Sequence, residues 1–401
     1  MVMKQVLVNK VTNLQCGLHN GKAFVFFFIC SLLIVFLQSI NFLQDFSIIY
    51  SFDEVLCICL LLYGLKNKVL ANKEFRGCAV ILTLYLIISI VQQNNVWQAA
   101  LGTYLSYFKP VACFYVVYSS RFTLTLKDLK VLRKWSRFLI LPCVLLFPIF
   151  SDSFNNLSSY YPLCLFVGLM NLLFFKWNKK NVIVAFCVLG LGIITFKSKY
   201  IAICVVIGSI YYFVNNHIKI NIKYLLLFFL IVFACIYLTY SRFSSYFLVG
   251  DTDSVARTAL YYHAIEILRD YFPLGSGLGT YGTESAAKYY SPLYAKYGMD
   301  TIFGLTRADY QTEYDFLKDT YFPSLAEFGI SGIFLYFYFW YKRWRDFSLS
   351  GNMKYYKLGI ILIFIVNIEN IANLVFMLGN CCLPIFMLLG YVCSFCKSIK
   401  L

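Results

Sequence analysis

Lys197-Ser198-Lys199 sets two ammonium groups around a hydroxyl, where one apolar run ends and the next begins. Cations at a membrane edge can hold a phosphate or pyrophosphate at headgroup depth, or can simply snorkel to lipid headgroups. Arg257 and Arg269 lie in a polar stretch further on. Guanidinium suits bidentate pairing with phosphate oxygens, and surface solvation is the plainer alternative for both. Arg257 shares helical spacing with Tyr261, Ile265 and Leu268, which predicts a helix that buries this stripe and carries the guanidinium at its edge. Asp319 enters the next apolar run beside Lys318. A carboxylate there can take a proton from a sugar hydroxyl, or can serve only as a favourable charge at a helix N-terminus.

Gly275, Gly277 and Gly279 alternate with Ser276 and Leu278 just after Phe272-Pro273-Leu274. A nucleotide-binding reading fails, because no strand precedes the run and no helix clearly follows it. Two uses remain: a tight turn that lets the loop lie close to the membrane face, and a nest of backbone N–H groups for an anion or sugar. Glu327 lies two turns into the following apolar run, where it must pair or be protonated. It reads as support first and as a substrate contact second. Lys109, before Pro110, and Glu369, among Asn367, Asn370 and Asn373, are further polar positions in apolar surroundings and candidates to line an interior cavity. Three histidines exclude a His-rich metal centre, and the 15 cysteines sit mostly inside apolar runs as small filler. No metal site and no cofactor are expected.

The elements that must position these residues follow from composition. Of 401 residues, 60% are hydrophobic and only 13% charged, with mean hydropathy +0.70. A soluble domain carries about 25% charged residues, so too few remain here to coat a water-facing surface. Spanning helices need about 20 mostly apolar residues. Reading for such runs predicts an all-α polytopic membrane protein with about 12 transmembrane helices, at roughly 23–40, 46–65, 77–93, 97–118, 137–150, 157–175, 181–196, 199–215, 224–241, 321–341, 357–375 and 380–396. The first is expected to be a retained span and not a cleaved leader. The chain then divides into residues 1–241 with helices 1–9, a loop domain at 242–320, and residues 321–401 with helices 10–12.

The net charge of +16 would suggest nucleic acid in a soluble protein. Here most Lys and Arg residues fall in alternate loops, as the positive-inside rule expects of a chain with both termini cytoplasmic. No nucleic-acid partner is therefore needed. The outer cations gather instead in the 197–199 turn and the long 242–320 loop, a loop of a length that is usually functional.

Three stretches together resemble the O-antigen polymerase and O-antigen ligase superfamily of bacterial surface-polysaccharide membrane proteins. The first is Thr195-Phe196-Lys197-Ser198-Lys199, similar to the family's span-end Ser followed by a basic residue. The second is Arg257 followed by Phe272-Pro273-Leu274-Gly275-Ser276-Gly277-Leu278-Gly279, similar to an Arg-containing helix and then Pro-x-Gly-x-Gly. The third is Asp319-Thr320-Tyr321 leading to Leu325-Ala326-Glu327-Phe328-Gly329-Ile330-Ser331-Gly332, similar to a polar residue and then Leu-x-Glu-x-Gly-Ile-x-Gly. The ligases carry a His at the loop exit where this chain has Asp319, which favours the polymerases.

The resemblance implies a metal-independent membrane glycosyltransferase in the bacterial inner membrane, with its large loop periplasmic. It would join undecaprenyl-pyrophosphate-linked oligosaccharide units, with a chain-length regulator protein as a further partner besides the bilayer. Lys199 and Arg257 would hold the departing pyrophosphate and Asp319 would act as base. Lys197, Ser198, Arg269, Gly275, Gly277, Gly279, Lys109 and Glu327 would contact substrate. The alternatives are a ligase that moves glycan to lipid A-core, and a flippase or transporter for lipid-linked oligosaccharide. Transporters favour midplane sites and internal repeats, and no repeat is visible in the sequence.

Overall fold

A computed structural model describes residues 21–37, 47–151, 160–195, 197–213, 252–312, 314–318, 320–349 and 352–398. The described residues are helical, with no strand among them. The long helices are α1 (Gly21–Leu37), α2 (Ser47–Lys66), α3 (Lys73–Gln92), α4 (Trp97–Ser120), α5 (Leu126–Ser151), α6 (Tyr160–Phe174), α7 (Lys179–Ile193) and α8 (Ser198–Phe213). They continue with α9 (Thr252–Asp270), α10 (Gly329–Ser348), α11 (Met353–Ala372) and α12 (Cys382–Ser398). In a chain so poor in charge, asparagine supplies the caps. The Asn72 side chain accepts from the Glu74 and Phe75 amides, Asn178 from Asn181, and Asn352 from Lys354 and Tyr355.

Apolar helices thus occur at eleven of the expected runs, and residues 224–241 lie outside the described set. Only two stretches among the described residues are long and apolar enough to cross a membrane, Lys73–Gln92 and Tyr321–Ser348. For α5, α6 and α7 the shortfall has a plain physical reason. Helices α6 and α7 have 15 residues each, about 22 Å at 1.5 Å per residue against a hydrocarbon core of about 30 Å. Helix α5 is long but begins in charge. Lys127, Lys130, Arg133, Lys134 and Arg137 were expected in a loop and instead belong to its first half. Asp128 makes this possible, since it accepts from the Thr125 amide and hydroxyl at 2.9 and 2.7 Å and starts the helix early.

Helix α6 is buried along its whole length and packs on α5 and α7, while α12 packs on α4. Helices α3 and α10 face outward instead. Val80, Leu84, Ile87 and Val91 of α3 and Phe334, Phe337 and Tyr341 of α10 are large, apolar and exposed. The expected tenth run is broken. Tyr321–Ser324 is one α-turn, Leu325–Phe328 is a 3-10 turn, and α10 begins at Gly329 with φ +65°.

Residues from 252 onward build a second apolar core from α9, the short helices Glu284–Lys288 and Pro292–Lys296, and the strand-free loops around them. Helix α9 forms as the spacing predicts, but its buried stripe is shifted. Ala256, Leu260, Ala264 and Ile267 face the core, whereas Ile265 is 68% exposed. Arg257, Tyr261 and Leu268 are half-buried at the edge. Bulky residues marked a plausible face in the sequence, but alanines let this helix pack closely.

Candidate functional site

The glycine run and the Leu325–Phe328 turn form one interlocked junction. The Ser276 and Gly277 amides donate to the Ala326 and Glu327 carbonyls at 3.2 and 3.0 Å. The Leu278 amide donates to the Ser89 hydroxyl at 2.6 Å. One oxygen of the Glu327 carboxylate accepts from the Thr280 amide at 2.8 Å, the Tyr281 amide at 2.9 Å and the Thr283 hydroxyl at 3.1 Å. Asn94 and Asn95, between α3 and α4, donate to the Ser276 and Gly279 carbonyls at 2.8 and 2.6 Å.

This geometry explains the glycines. Gly275, Gly277 and Gly279 all have positive φ, from +76° to +93°. A Cβ on Gly275 would lie 2.2 Å from the Gly329 nitrogen, and one on Gly279 would lie 2.4 Å from the Ala99 carbonyl carbon. Only glycine allows both the left-handed backbone and the backbone-to-backbone approach. The amides that a nest would offer an outside anion are largely occupied from within, two of the neighbouring amides by the Glu327 carboxyl itself. Its second oxygen, fully buried, has no hydrogen-bond partner.

A second polar centre lies between α6, α8 and α11. The Lys199 ammonium is 3.0 Å from the Glu369 carboxylate, with side-chain exposures of 15% and 0%. The Tyr161 hydroxyl donates to the same Glu369 oxygen at 3.1 Å, and Lys199 lies 5.5 Å from the centre of the Tyr161 ring. The other Glu369 oxygen and the Asn370 side-chain oxygen are buried without partners. The Asn370 amide donates to the Tyr336 hydroxyl at 2.7 Å, and Tyr336 donates to Asn367 at 2.9 Å. Two residues beyond Glu369, the Ile371 carbonyl accepts from the Tyr261 hydroxyl of α9 at 2.6 Å. Burial pushes the Tyr261 phenol up to about 12.

The other expected residues are dispersed around these two centres. Arg257 stands over the Phe316 ring at 5.0 Å. Arg269 is 77% exposed at its side chain and touches Asp270 at 3.3 Å. Lys197 is half-buried, and its carbonyl accepts the Tyr200 and Ile201 amides at the start of α8, where Ser198 is the first residue. Lys109 is drawn away from the others and pairs with Asp53 of α2 at 2.7 Å. Asp319 lies outside the described residues. Its neighbour Lys318 pairs with Glu284 at 2.8 Å and Asp315 at 3.5 Å. Burial disfavours the Lys318 ammonium, but the two carboxylates outweigh it and raise its pKa above the ordinary lysine value.

Beside the junction an apolar cavity of about 330 Å³ runs between α3, α4 and α10. Tyr107, Tyr321 and Phe328 line it at the junction, and Glu74, Lys342 and Arg343 line its far end. Sequence reasoning placed Lys199 and Glu369 in separate proposals and did not join them. Tyr161 and Asp53 are marked by no local pattern that would pair them with either. The unsigned clue was the same each time: an isolated charge in an apolar helix needs an opposite charge somewhere in the bundle.

These features define a class: an all-helical protein with outward-facing apolar helices, buried interhelical ion pairs, and a compact helical unit inserted before its last three long helices. No protein-family model matches the chain, and no curated protein matches it.

Proposed function

We propose that the chain is a polytopic inner-membrane glycosyltransferase, an O-antigen or capsular polysaccharide polymerase acting on undecaprenyl-pyrophosphate-linked oligosaccharide. One observation carries the reading: the three stretches that bear the family resemblance, far apart in sequence, meet around one end of α11. The glycine run locks onto Leu325–Phe328 through the Ser276 and Gly277 amides, and the preceding turn Tyr321–Ser324 packs on α11. The helix that carries Arg257 reaches Ile371 through Tyr261. Lys199 pairs with Glu369, two residues away from Ile371.

In the proposed reaction an acceptor sugar hydroxyl attacks the anomeric carbon of the donor. The new glycosidic C–O bond forms as the bond to pyrophosphate breaks, and the leaving group departs with the electron pair. Lys199 would exchange Glu369 for the pyrophosphate as that charge develops, with Arg257 as second cation. Asp319 would accept the hydroxyl proton. The apolar cavity offers room for part of the isoprenoid chain. About twelve spans and a periplasmic inserted unit belong to this reading, and the outward apolar faces of α3 and α10 support it.

Arg257→Ala is expected to abolish long glycan chains at unchanged protein level; a normal glycan ladder would remove the anion site. Asp319→Asn should lose activity yet still bind lipid-linked substrate, and full activity would exclude it as base. The buried pairs Lys109–Asp53 and Lys199–Glu369 favour a second reading, a lipid-linked oligosaccharide transporter, because ionisable pairs between apolar helices often mark transport pathways. A deletion strain separates the readings. A single repeat unit on the core means a lost polymerase, whereas repeat units trapped inside the cell mean a lost transporter. Lipid-linked polymer that never reaches the core means a lost ligase.

A further inference from the structure

At the end of the bundle formed by the start of α11 and the end of α10, two cationic groupings are balanced differently. In the first, the Glu74 carboxylate pairs with Lys342 and with Arg343, each at 2.9 Å, and Arg343 also meets Asp346 at 3.2 Å. Two cations there face two carboxylates. The second grouping surrounds the C-terminal end of α6. Arg133 donates to the Phe174 carbonyl at 2.9 Å. Lys354 donates to the Leu173 and Phe175 carbonyls at 2.7 and 2.9 Å. The buried Lys357 donates to the Tyr211 carbonyl at 3.2 Å. The Arg133 and Arg137 guanidiniums lie 5.5 and 5.6 Å from the centre of the Phe175 ring, and the Lys354 and Lys357 ammoniums lie 5.8 and 5.1 Å from Trp177.

Among the described residues none of these four cations has a carboxylate partner. A helix C-terminus supplies only about half a negative charge. The nearby acids are committed elsewhere: Glu74 and Asp346 to the first grouping, and Asp128 to the start of α5. Residues 1–20 and 214–250, outside the described set, contain no Asp or Glu. Among the described residues this grouping therefore carries positive charge that no carboxylate beside it balances, which suits it to an anion from another molecule.

We infer that Arg133, Arg137 and Lys354 form a binding site for the phosphate of an anionic phospholipid, with the buried Lys357 adding positive charge behind them. The lipid source is favoured by what lies beyond the cations on the same helix. Arg133, Arg137, Leu141, Val144 and Leu145 share one face of α5 by their spacing. Leu141, Val144 and Leu145 are about half exposed, at 55%, 49% and 56%. A headgroup at the guanidiniums would lay an acyl chain along those three side chains. A free phosphate would leave that face uncovered. The site is separate from the proposed reaction centre and does not depend on it.

The test uses the full chain in neutral detergent, with thermal unfolding followed after addition of phosphatidylglycerol, phosphatidylcholine or inorganic phosphate. Phosphatidylglycerol should raise the unfolding temperature and remain bound in native mass spectrometry, and the other two should not. The Arg133→Gln/Arg137→Gln double variant should weaken phosphatidylglycerol binding roughly fivefold per charge removed. Lys179→Gln/Lys180→Gln, which removes two exposed lysines from the start of α7, should leave it within about twofold. Equal binding of the two lipids by the wild type, or undiminished binding by the double variant, overturns the inference. An equal shift with inorganic phosphate overturns the lipid assignment in favour of a free anion. Should the double variant fold poorly, Arg137→Gln alone removes an exposed guanidinium, and the wild-type lipid comparison stands without any variant.

Discussion

Glu327 and Glu369 are both fully buried, and each leaves one carboxylate oxygen without a partner, yet they are held in opposite ways. Glu327 is gripped by two backbone amides and a threonine hydroxyl across a junction of short loops. Glu369 is held by a side-chain cation and a phenol from two other helices. Backbone amides cannot move without unfolding the loop that presents them. A lysine can swing to another anion. The first arrangement is suited to architecture and the second to exchange.

The sharpest way to break this contrast is to ask which carboxylate can be replaced together with its partner. Glu327→Leu should destabilise the detergent-solubilised protein by about 3–5 kcal/mol, because two buried amides and a buried hydroxyl lose their acceptor together. No second substitution should restore it, since two of the partners are main chain. Lys199→Met should cost about 3 kcal/mol by leaving Glu369 buried and unpaired. Adding Glu369→Leu should recover most of that loss while glycan polymer stays absent. Recovery of polymer along with stability would reduce the pair to a structural contact.

Gly279→Ala comes next, at about 2 kcal/mol, from a Cβ driven into the Ala99 backbone at positive φ. Tyr261→Phe should cost about 1 kcal/mol for the hydrogen bond that ties α9 to Ile371. An unchanged unfolding temperature would show that α9 does not depend on that tie. The smallest effect is expected of Arg269→Ala, within about 0.5 kcal/mol, since the side chain is largely exposed. Lost polymer at unchanged stability would restore it as a substrate contact.

Periodicity made α9 legible but not its buried face. Ala256 and Ala264 are too small to stand out in a hydrophobic count, yet they permit the close packing that sets the rotation. Asp128 and Thr125 carried a visible start signal for α5, but the basic residues after them read as a loop. Gly329 and the Glu327 junction broke a run that looked continuous, because the backbone partners of that turn come from residues 274–281 and from α3.

By itself the sequence determined the all-helical class and the presence of a helix where α9 stands. Those properties follow from composition and from local periodicity, which a single chain segment carries. Only the tertiary structure decided that Lys199 belongs with Glu369, Lys109 with Asp53 and the Thr280 and Tyr281 amides with Glu327. Partner choice for a buried charge is set by which helices pack against one another, and the residues joined here lie between 46 and 170 positions apart. No local pattern encodes that distance.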